Sequence, residues 1–522
     1  MPSSRFIVLL FAALALLAFA AQFAIDFSPD NIAASCLVLA SSLAILLYIL
    51  WTKAIQTHPL STFAIFGFCA TTQWGALLAQ SAYWTPIALH LRQPVETFAT
   101  LAFYQGVALT AHAFYRTLTS GKSNSGPSLV VGTLHRMGLY DIPSAGTLWV
   151  MGIFGLMNLA IGGGEGVVSK IAHGLSFLAW APFLIPMYVL QQESYYCNAR
   201  RNYLFLSGYI LLIVAIGIAI NARSVMLSGM VTVALFALLR CMRGSRSVSS
   251  FHVLKVVIGL LILSAASIPV SYLVNAMSLA RGVRTYSGPM KVIEETIYYL
   301  GEPELVLKEQ ERLKHVSIGS RYDETYFENP LITRLVETKF HDNALYFASQ
   351  FSEKDEDKLM DLTIDFFWTT LPDPMLKAMS VKVTKDAYKF TIGDYLSYVA
   401  GGGDLGSYKT GSHLGQGQAV FGIAYPVVYF FSCIILFMCV DVLVYRPTQG
   451  GVVISALGML GIWRMFQYGI STESLHLLFM SVVRGLPQSI ALYLLVYYMS
   501  RRTVRFLAQL TGSDSTRALA MH

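Results

Sequence analysis

The sequence has few charged residues and few cysteines for its length. Of its 522 residues, 13% are charged and 55% are hydrophobic, and the mean hydropathy is +0.55. These values exclude an ordinary soluble globular chain. None of the six cysteines lies between residues 277 and 418, and no two form a CxxC pair. We therefore expect no disulfide framework in that segment and no cysteine-held metal.

The chain also lacks the short motifs of several enzyme classes. The glycine-rich run at 400–418 contains no GK[ST], which excludes a P-loop, and a flexible tether is the expected structure there. No HExxH or GxSxG motif occurs. The acidic triplet at 355–357 resembles a metal-binding DxD, but its place on a highly charged helix favours a solvated face. We expect a metal-independent protein without a cofactor.

Long apolar runs account for most of the chain. A membrane-spanning helix needs about 20 apolar residues. The sequence therefore predicts about twelve transmembrane helices, the first of them retained rather than cleaved as a signal peptide. The predicted spans are 6–25, 32–51, 61–80, 97–115, 146–163, 174–193, 203–221, 224–240, 253–276, 419–443, 451–468 and 475–498.

One polar block interrupts these runs. Residues 277–418 hold 21 of the 30 acidic and 16 of the 37 basic residues, so the rest of the chain carries a net charge of +12. Within the block, residues 329–351 have helical periodicity, and Ser352 precedes Asp355 in a capping-box pattern. The sequence predicts an all-α polytopic membrane protein. Its parts are an N-terminal bundle (1–276), a polar helical domain (277–418), three C-terminal spans (419–498) and a tail (499–522).

The basic residues between the spans predict the orientation. If the N-terminus is cytoplasmic, the cytoplasmic segments carry sixteen Lys and Arg, against Arg92 and Lys170 in the short loops on the other side. The positive-inside rule then places both termini in the cytoplasm and the 277–418 domain outside. For a bacterial inner membrane, outside is the periplasm. Basic residues confined to such loops do not indicate nucleic-acid binding.

Three arginines are predicted in the outer half of the bundle. Arg223 lies where the seventh span meets the eighth, Arg464 lies about one turn below the outer end of the eleventh, and Arg484 lies about ten residues into the twelfth. An arginine at membrane depth costs roughly 2.5–3.5 kcal/mol on insertion scales, so it usually faces a partner or a wet cavity. Its planar fork binds phosphate well. Together the three predict an anion site, with structural ion pairs as the alternative.

At these residues the chain resembles the Wzy-type O-antigen and exopolysaccharide polymerases. The likeness lies in "NARSVML" (221–227), in the single large outer loop, and in the glycine-rich return to the membrane, "GSHLGQGQAVFGIAYPVVYF" (411–430). Arg321 in "GSRYDE" and Asn343 in "HDNALYF" are similar to the family's outer loop. The resemblance implies a fold like that of the C-type membrane glycosyltransferases.

The resemblance also implies a reaction. A hydroxyl of one lipid-linked oligosaccharide repeat unit attacks the anomeric carbon of a polymer linked to undecaprenyl diphosphate, and the lipid diphosphate leaves. Arginines stabilise the leaving charge, and a base accepts the hydroxyl proton. The expected catalytic residues are Arg223, Arg464, Arg484, His413, His341 and Glu165. The expected substrate-binding residues are Arg281, Arg284, Arg321, Asn343 and His476. Membrane lipid, a chain-length regulator and a flippase are the implied partners.

Two other functions fit the same sequence features. Residues 223–227 also match the RxxxL pattern of the related O-antigen ligases, which use the same donor with a different acceptor. A polysaccharide flippase or transporter would carry out no chemistry. A transporter should have charges along a path through both leaflets, whereas the three arginines are predicted in the outer one.

The one-sided distribution of Lys and Arg yields a testable orientation. A reporter fused after residue 350 should be active only as an extracytoplasmic reporter, because the 277–418 block is predicted outside. A fusion in the 499–522 tail serves as the cytoplasmic control. Cytoplasmic activity of the fusion at residue 350 would refute the predicted topology.

Overall fold

The structure is a computed structural model that describes most of the chain. The described residues are 4–120, 128–161, 172–191, 199–244, 272–280, 289–308, 311, 322–327, 329–371, 373–447 and 451–510. Several residues singled out above lie outside the described residues: Glu165, Arg281, Arg284, Arg321 and most of the predicted span 253–276. The side chain of Arg223 is also outside the description.

The protein is an all-α membrane protein, and 79% of the structure is helical. The helices are α1 Ser4–Ile25, α2 Pro29–Thr52, α3 Pro59–Ala82, α4 Pro94–Ser120, α5 Leu129–Arg136, α6 Ala145–Ile161, α7 Ala172–Val189, α8 Ala199–Ala219, α9 Arg223–Arg243, α10 Pro289–Gly301, α11 Pro330–Leu335, α12 Thr338–Ala348, α13 Glu353–Thr369, α14 Asp373–Ala378, α15 Ile392–Val399, α16 His413–Phe421, α17 Tyr425–Asp441, α18 Ala456–Leu460, α19 Ile462–Tyr468 and α20 Leu475–Leu510. Short helical turns occupy Ala54–Thr57, Lys385–Tyr388 and Gly422–Ala424, and an antiparallel pair joins β1 Val444–Tyr445 to β2 Val453–Ile454.

Within the described residues, eight helices are long and apolar enough to cross a membrane. They are α1, α2, α3, α7, α8, α9, the α16–α17 pair and α20. The other predicted spans differ for separate reasons. Helix α4 is long but less apolar, and α6 is apolar but short. The span predicted at 451–468 is two short helices, α18 and α19, which meet at Gly461.

The bundle packs around α4 and α17. Helix α4 lies between α2 and α17, while α19 packs against α3 and α9. Tyr104 of α4 and Tyr425 and Tyr429 of α17 are fully buried, with ring centroids 5.3 Å from Tyr104 to each of the other two. Glycine permits close helix contacts, because a Cβ on Gly67 of α3 would lie 2.0 Å from the Phe466 carbonyl oxygen and one on Gly155 of α6 would lie 2.1 Å from the backbone nitrogen of Ala179.

The two ends of the bundle differ. One end, here called the loop end, carries the 83–93 segment, the 322–412 segment and the 469–474 loop. At this end the Tyr326 hydroxyl donates to the Ile87 carbonyl at 2.7 Å. At the opposite end, the basic end, the fully buried Asp441 pairs with Arg446 at 3.0 Å and accepts a hydrogen bond from Tyr115 at 3.1 Å. The charge of Asp441 at that end is therefore balanced by Arg446.

The 322–412 segment and α16 together form a small hydrophobic cluster separate from the bundle core. Helices α12, α13, α15 and α16 supply its buried residues: Ala344, Phe347, Leu359, Phe366, Ile392, Leu396 and Ala419. Helix α13 begins after Ser352, whose backbone N–H donates to the Asp355 carboxylate at 3.4 Å, so the predicted capping box is confirmed. The segment thus carries apolar packing of its own beside its contacts with the bundle.

The glycine-rich run is not a tether, contrary to expectation. The Asp394 carboxylate accepts hydrogen bonds from the backbone N–H groups of Gly406, Tyr408 and Lys409, at 3.3, 2.9 and 3.0 Å, and from the Ser407 hydroxyl at 3.0 Å. Burial alone would raise the pKa of this carboxyl, but these hydrogen bonds outweigh it and hold the pKa below its usual value. The run is an ordered loop fixed at one carboxylate.

Part of the polar block inserts between the bundle helices. Residues 329–351, predicted as one helix, form α11 and α12 with a break at Val336–Glu337. At the break, the Glu337 N–H donates to the Thr71 carbonyl at 2.9 Å, and the Thr338 hydroxyl donates to the Thr72 carbonyl at 2.7 Å. Thr71 lies about 16 Å below the loop end of α3, at 1.5 Å per residue.

A π-helical segment of α3 receives this insertion. Residues Ala70–Trp74 form the π segment, which disrupts the regular hydrogen-bond ladder of α3 next to the break. The carbonyls of Thr71 and Thr72 accept from the inserted chain there. The helix predicted over 329–351 is broken because its polar backbone groups bind α3 instead of continuing one helical ladder.

A buried carboxylate anchors the inserted segment to the start of α4. Asp342 is fully buried and accepts from the backbone N–H of Arg92 at 2.9 Å, from that of Gln93 at 3.1 Å and from the Thr97 hydroxyl at 3.1 Å. The buried Lys339 ammonium lies 3.2 Å away. A buried charge is tolerated when it is paired and hydrogen-bonded in this way.

Replacing Asp342 by Ala should strongly destabilise the protein. The change leaves Lys339 as an unpaired buried charge, which costs about 3–5 kcal/mol. Adding Lys339→Met should recover part of that loss, because the unpaired ammonium is then gone. Thermal unfolding in detergent measures the effect, and the exposed Asp361→Ala is the control, with a change within about 0.5 kcal/mol. Equal stability of Asp342→Ala and the control would contradict the anchor.

Candidate functional site

The 469–474 loop lies at the centre of the candidate site. It joins α19 to α20 at the loop end, and the start of α16 fixes its position. The His413 N–H donates to the Thr472 carbonyl at 3.1 Å, and the Gln416 side chain accepts from the Leu475 N–H at 2.9 Å. The loop is therefore held by the same helix that returns the chain to the bundle.

His341 links this loop to the polar block. It is 3% exposed; its Nδ1 lies 2.7 Å from the Ser412 hydroxyl and its Nε2 lies 2.9 Å from the Ser471 hydroxyl. Burial lowers the pKa of His341 to about 4, so the ring is neutral at physiological pH. A neutral ring between two hydroxyls donates through one nitrogen and accepts through the other.

Glu337 is a buried acid beside the same loop. It is 2% exposed, and its carboxyl faces the side chains of Gln467, Tyr468 and Ser471. Burial, with the nearby charge of Glu473 as a smaller contribution, raises its pKa well above the usual value. Its Oε1 has no hydrogen-bond partner among the described residues. The sequence analysis did not single out Glu337. An acid directly after the apolar Val336, inside the helix-period segment 329–351, was a usable signal.

Glu324 and Arg334 form a polar rim around the loop. Glu324 accepts from the Tyr322 hydroxyl at 2.9 Å and from the Thr410 N–H at 3.1 Å, and it pairs with the exposed Arg334 at 3.5 Å. The Arg334 carbonyl accepts from the Gln467 side chain at 2.9 Å. This rim connects the inserted segment, the glycine-rich loop and α19.

Two of the three predicted arginines have described side chains, and both are exposed. Arg464 on α19 makes no hydrogen bond or ion pair with any residue that the structure describes. Arg484 lies in the π segment Ser481–Gly485 of α20, where one nitrogen donates to the Thr370 carbonyl at 3.0 Å. Arg223 begins α9, the helix that packs against α19. No described contact joins Arg464 to Arg484.

The remaining predicted residues occupy packed positions. His413 is fully buried, with Nδ1 at 2.7 Å from the Tyr425 hydroxyl and its ring stacked on Tyr429. His476 is half-buried and stacked on Phe366. Asn343 is buried and donates to the Asp323 carbonyl at 2.7 Å. His341, His413 and His476 therefore surround the 469–474 loop, whereas Asn343 binds the 322–327 segment.

The described part of the chain offers no ready-made metal site. Within it, no three His, Cys, Asp or Glu side chains are placed to hold a metal ion. The charged groups next to the 469–474 loop include Arg334, Glu324 and Glu473, and Glu337 is a further buried acid there. The arrangement suits binding of an anion and handling of protons.

Comparisons with known proteins give no relative. No family model matches the chain, and no curated protein or solved structure is significantly similar to it. The functional argument therefore depends on the residues themselves.

His341 should make the stability of the protein depend on pH. Its folded-state pKa of about 4 lies below the usual value of 6.5, so the unfolded chain binds more protons between these values. The contribution of neutral His341 to the free energy of unfolding is fully present above pH 6.5. It is lost as the pH falls towards 4, by about 3 kcal/mol in all. His341→Gln should be less stable at neutral pH but lose less on acidification.

Thermal unfolding of both proteins from pH 7.5 to 4.5 measures this difference. The other titrating groups are common to both proteins and cancel in the comparison. Parallel pH profiles for the wild type and His341→Gln would show that His341 does not remain neutral in the folded state.

Proposed function

We propose that the protein is a metal-independent membrane glycosyltransferase that polymerises undecaprenyl-diphosphate-linked oligosaccharide repeat units into O-antigen or exopolysaccharide. The reaction takes place at the outer face of the bacterial inner membrane. The observation that carries the proposal is the exposure of Arg464 and Arg484 near the loop end, without an acidic partner among the described residues.

The missing acidic partner argues against structural ion pairs. An arginine in an apolar helix is expensive unless it is paired or faces water, an ion or a ligand. At the basic end the pairing is explicit, since Asp441 and Arg446 are 3.0 Å apart. At the loop end, Arg464 has no described partner and Arg484 binds only a backbone carbonyl. An anion that arrives from the membrane would complete these two sites.

A lipid diphosphate fits this position. It carries its charge at the membrane surface, where the polar segment and the apolar helices meet. Arginine binds its oxygens in a bidentate way and keeps its charge at any physiological pH. In the proposed reaction, Arg464 and Arg484, with Arg223 at the start of the neighbouring α9, stabilise the negative charge that develops on the leaving diphosphate.

The twelve-span topology and the outward position of the polar block complete the proposal. The 322–412 segment lies directly beside the arginine-bearing helices: the Thr370 carbonyl binds Arg484, and the Arg334 carbonyl binds Gln467 of α19. A sugar chain attached to the lipid would therefore extend from the arginines towards this segment. A transporter without chemistry would need no such charge at one end of the bundle.

Removal of either arginine should reduce polymer formation. Arg464→Ala and Arg484→Ala each remove a charge-assisted contact of about 1.5–3 kcal/mol, so the rate should fall by roughly tenfold to hundredfold. Lysine should restore little, because it keeps the charge but not the bidentate fork. The assay is polymer laddering together with the membrane level of each variant.

Arg505→Ala is the matched control for this experiment. Arg505 is also exposed on α20 but lies at the far end of that helix. Its variant should form a normal ladder. Normal polymer from Arg464→Ala and Arg484→Ala at normal membrane levels would refute the proposed role of the arginines.

A further inference from the structure

Glu473 is the one half-buried acid in the 469–474 loop. It lies within electrostatic range of Glu324, Glu337, Arg334 and Tyr468, which belong to the rim, the inserted segment and α19. Its backbone is tightly packed, since a Cβ on Gly411 would lie 2.7 Å from the Glu473 carbonyl oxygen. The carboxyl itself receives no hydrogen bond from any described residue.

A second observation indicates that a polar ligand belongs at this place. The Oε1 atom of Glu337 is buried and lacks a partner among the described residues, and its carboxyl lies within electrostatic range of Glu473. Buried polar atoms are almost always hydrogen-bonded in folded proteins. A hydroxyl-bearing ligand next to Glu473 would supply the missing partner.

We propose that Glu473 is the catalytic base that accepts the proton of the acceptor sugar hydroxyl, in a polar site that it forms with Glu337. This inference rests on the proposed polymerase function and deepens it. The ligand of the site is a carbohydrate hydroxyl, and the partner charge is the diphosphate held by the arginines.

The other acids and histidines around the loop are less suited to this role. Glu324 already accepts from Tyr322, Thr410 and Arg334. His341 and His413 are buried and hydrogen-bonded to neighbouring hydroxyls, so neither ring reaches a substrate. Glu473 combines partial exposure with a carboxyl that no described donor occupies.

The proposed step balances in atoms and electrons. The hydroxyl oxygen of the acceptor forms a bond to the anomeric carbon of the donor, and its proton passes to the Glu473 carboxylate. The bond between the anomeric carbon and the diphosphate oxygen breaks, and the electron pair leaves with the lipid diphosphate. Glu473 then releases the proton to water.

The groups around Glu473 raise its pKa, which favours its action as a base. Burial raises the pKa of this carboxyl, the charge of Glu324 raises it further, and Arg334 partly opposes both. A base with a raised pKa takes up a proton more readily in the transition state. The reactive form is the deprotonated one, so the rate should fall as the pH drops through the raised pKa, above the ordinary value of about 4.3.

The experiment uses the purified full-length protein. It is added to membranes of the native host from which the gene has been deleted and which hold the endogenous lipid-linked repeat units. The variants are Glu473→Gln, Glu473→Asp and the control Glu295→Gln, whose side chain is 26% exposed and pairs with Lys291. Polymerisation rate is measured against pH, and thermal shift with undecaprenyl diphosphate measures donor binding.

Glu473→Gln should lower the rate by about 10²–10⁴-fold while undecaprenyl diphosphate still stabilises the variant, because only proton transfer is lost. Its residual rate should not fall as the pH drops. It should therefore lack the decrease at acidic pH, here called the acidic limb, that the wild type shows. Glu473→Asp should retain that limb with a reduced rate, and Glu295→Gln should match the wild type.

Two different failures are distinguishable. If the wild-type protein forms no polymer although it binds undecaprenyl diphosphate, the proposed function is wrong. If the wild type polymerises and Glu473→Gln keeps both the rate and the acidic limb, the inference about Glu473 is overturned. Loss of donor binding or of folded protein in Glu473→Gln would assign Glu473 a structural role and would also overturn it.

Discussion

The central constraint on this structure is that polar groups buried between apolar helices must find partners. The inserted segment meets it at two points: its backbone binds carbonyls of the π segment in α3, and Asp342 accepts from the chain that begins α4. Each unsatisfied group would cost several kcal/mol in so apolar a setting. Because these contacts fix α11 and α12, they also fix Glu337 and His341 on the same segment. The candidate site therefore depends on a packing interaction as much as on its own residues.

Charge is distributed unequally between the two ends of the bundle. At the basic end, Asp441 meets Arg446 and two hydroxyl groups, so a buried acid is fully compensated. At the loop end, the exposed Arg334 lies within electrostatic range of Glu473, and burial raises the pKa of both Glu473 and Glu337. Arg464 and Arg484, also exposed near this end, have no acidic partner among the described residues. An anionic ligand would balance this positive charge, whereas a cationic ligand would not.

Hydropathy predicted an all-α membrane protein, but not the details of the site. The long apolar helices and the capping box at Ser352 follow from local pattern, and the structure has both. The break before Thr338 does not, since the competing partners are carbonyls of α3 about 266 residues away in sequence. Likewise, the glycine-rich run looked like a tether because its anchor, Asp394, belongs to another element. Glu337 and Glu473 became candidates only through burial and proximity, which single-sequence patterns do not encode.

The inserted segment has a consequence for how the chain is made. The residues that bind Asp342 lie about 250 positions earlier, and they leave the ribosome long before it does. During that interval α3 and the start of α4 lack these later partners. Contacts of such high sequence separation form slowly, and domains of a nascent chain usually settle in order of synthesis. Here the third and fourth helices reach their final packing only after the polar block has been synthesised and has inserted between them, so completion of the N-terminal bundle depends on a segment made much later.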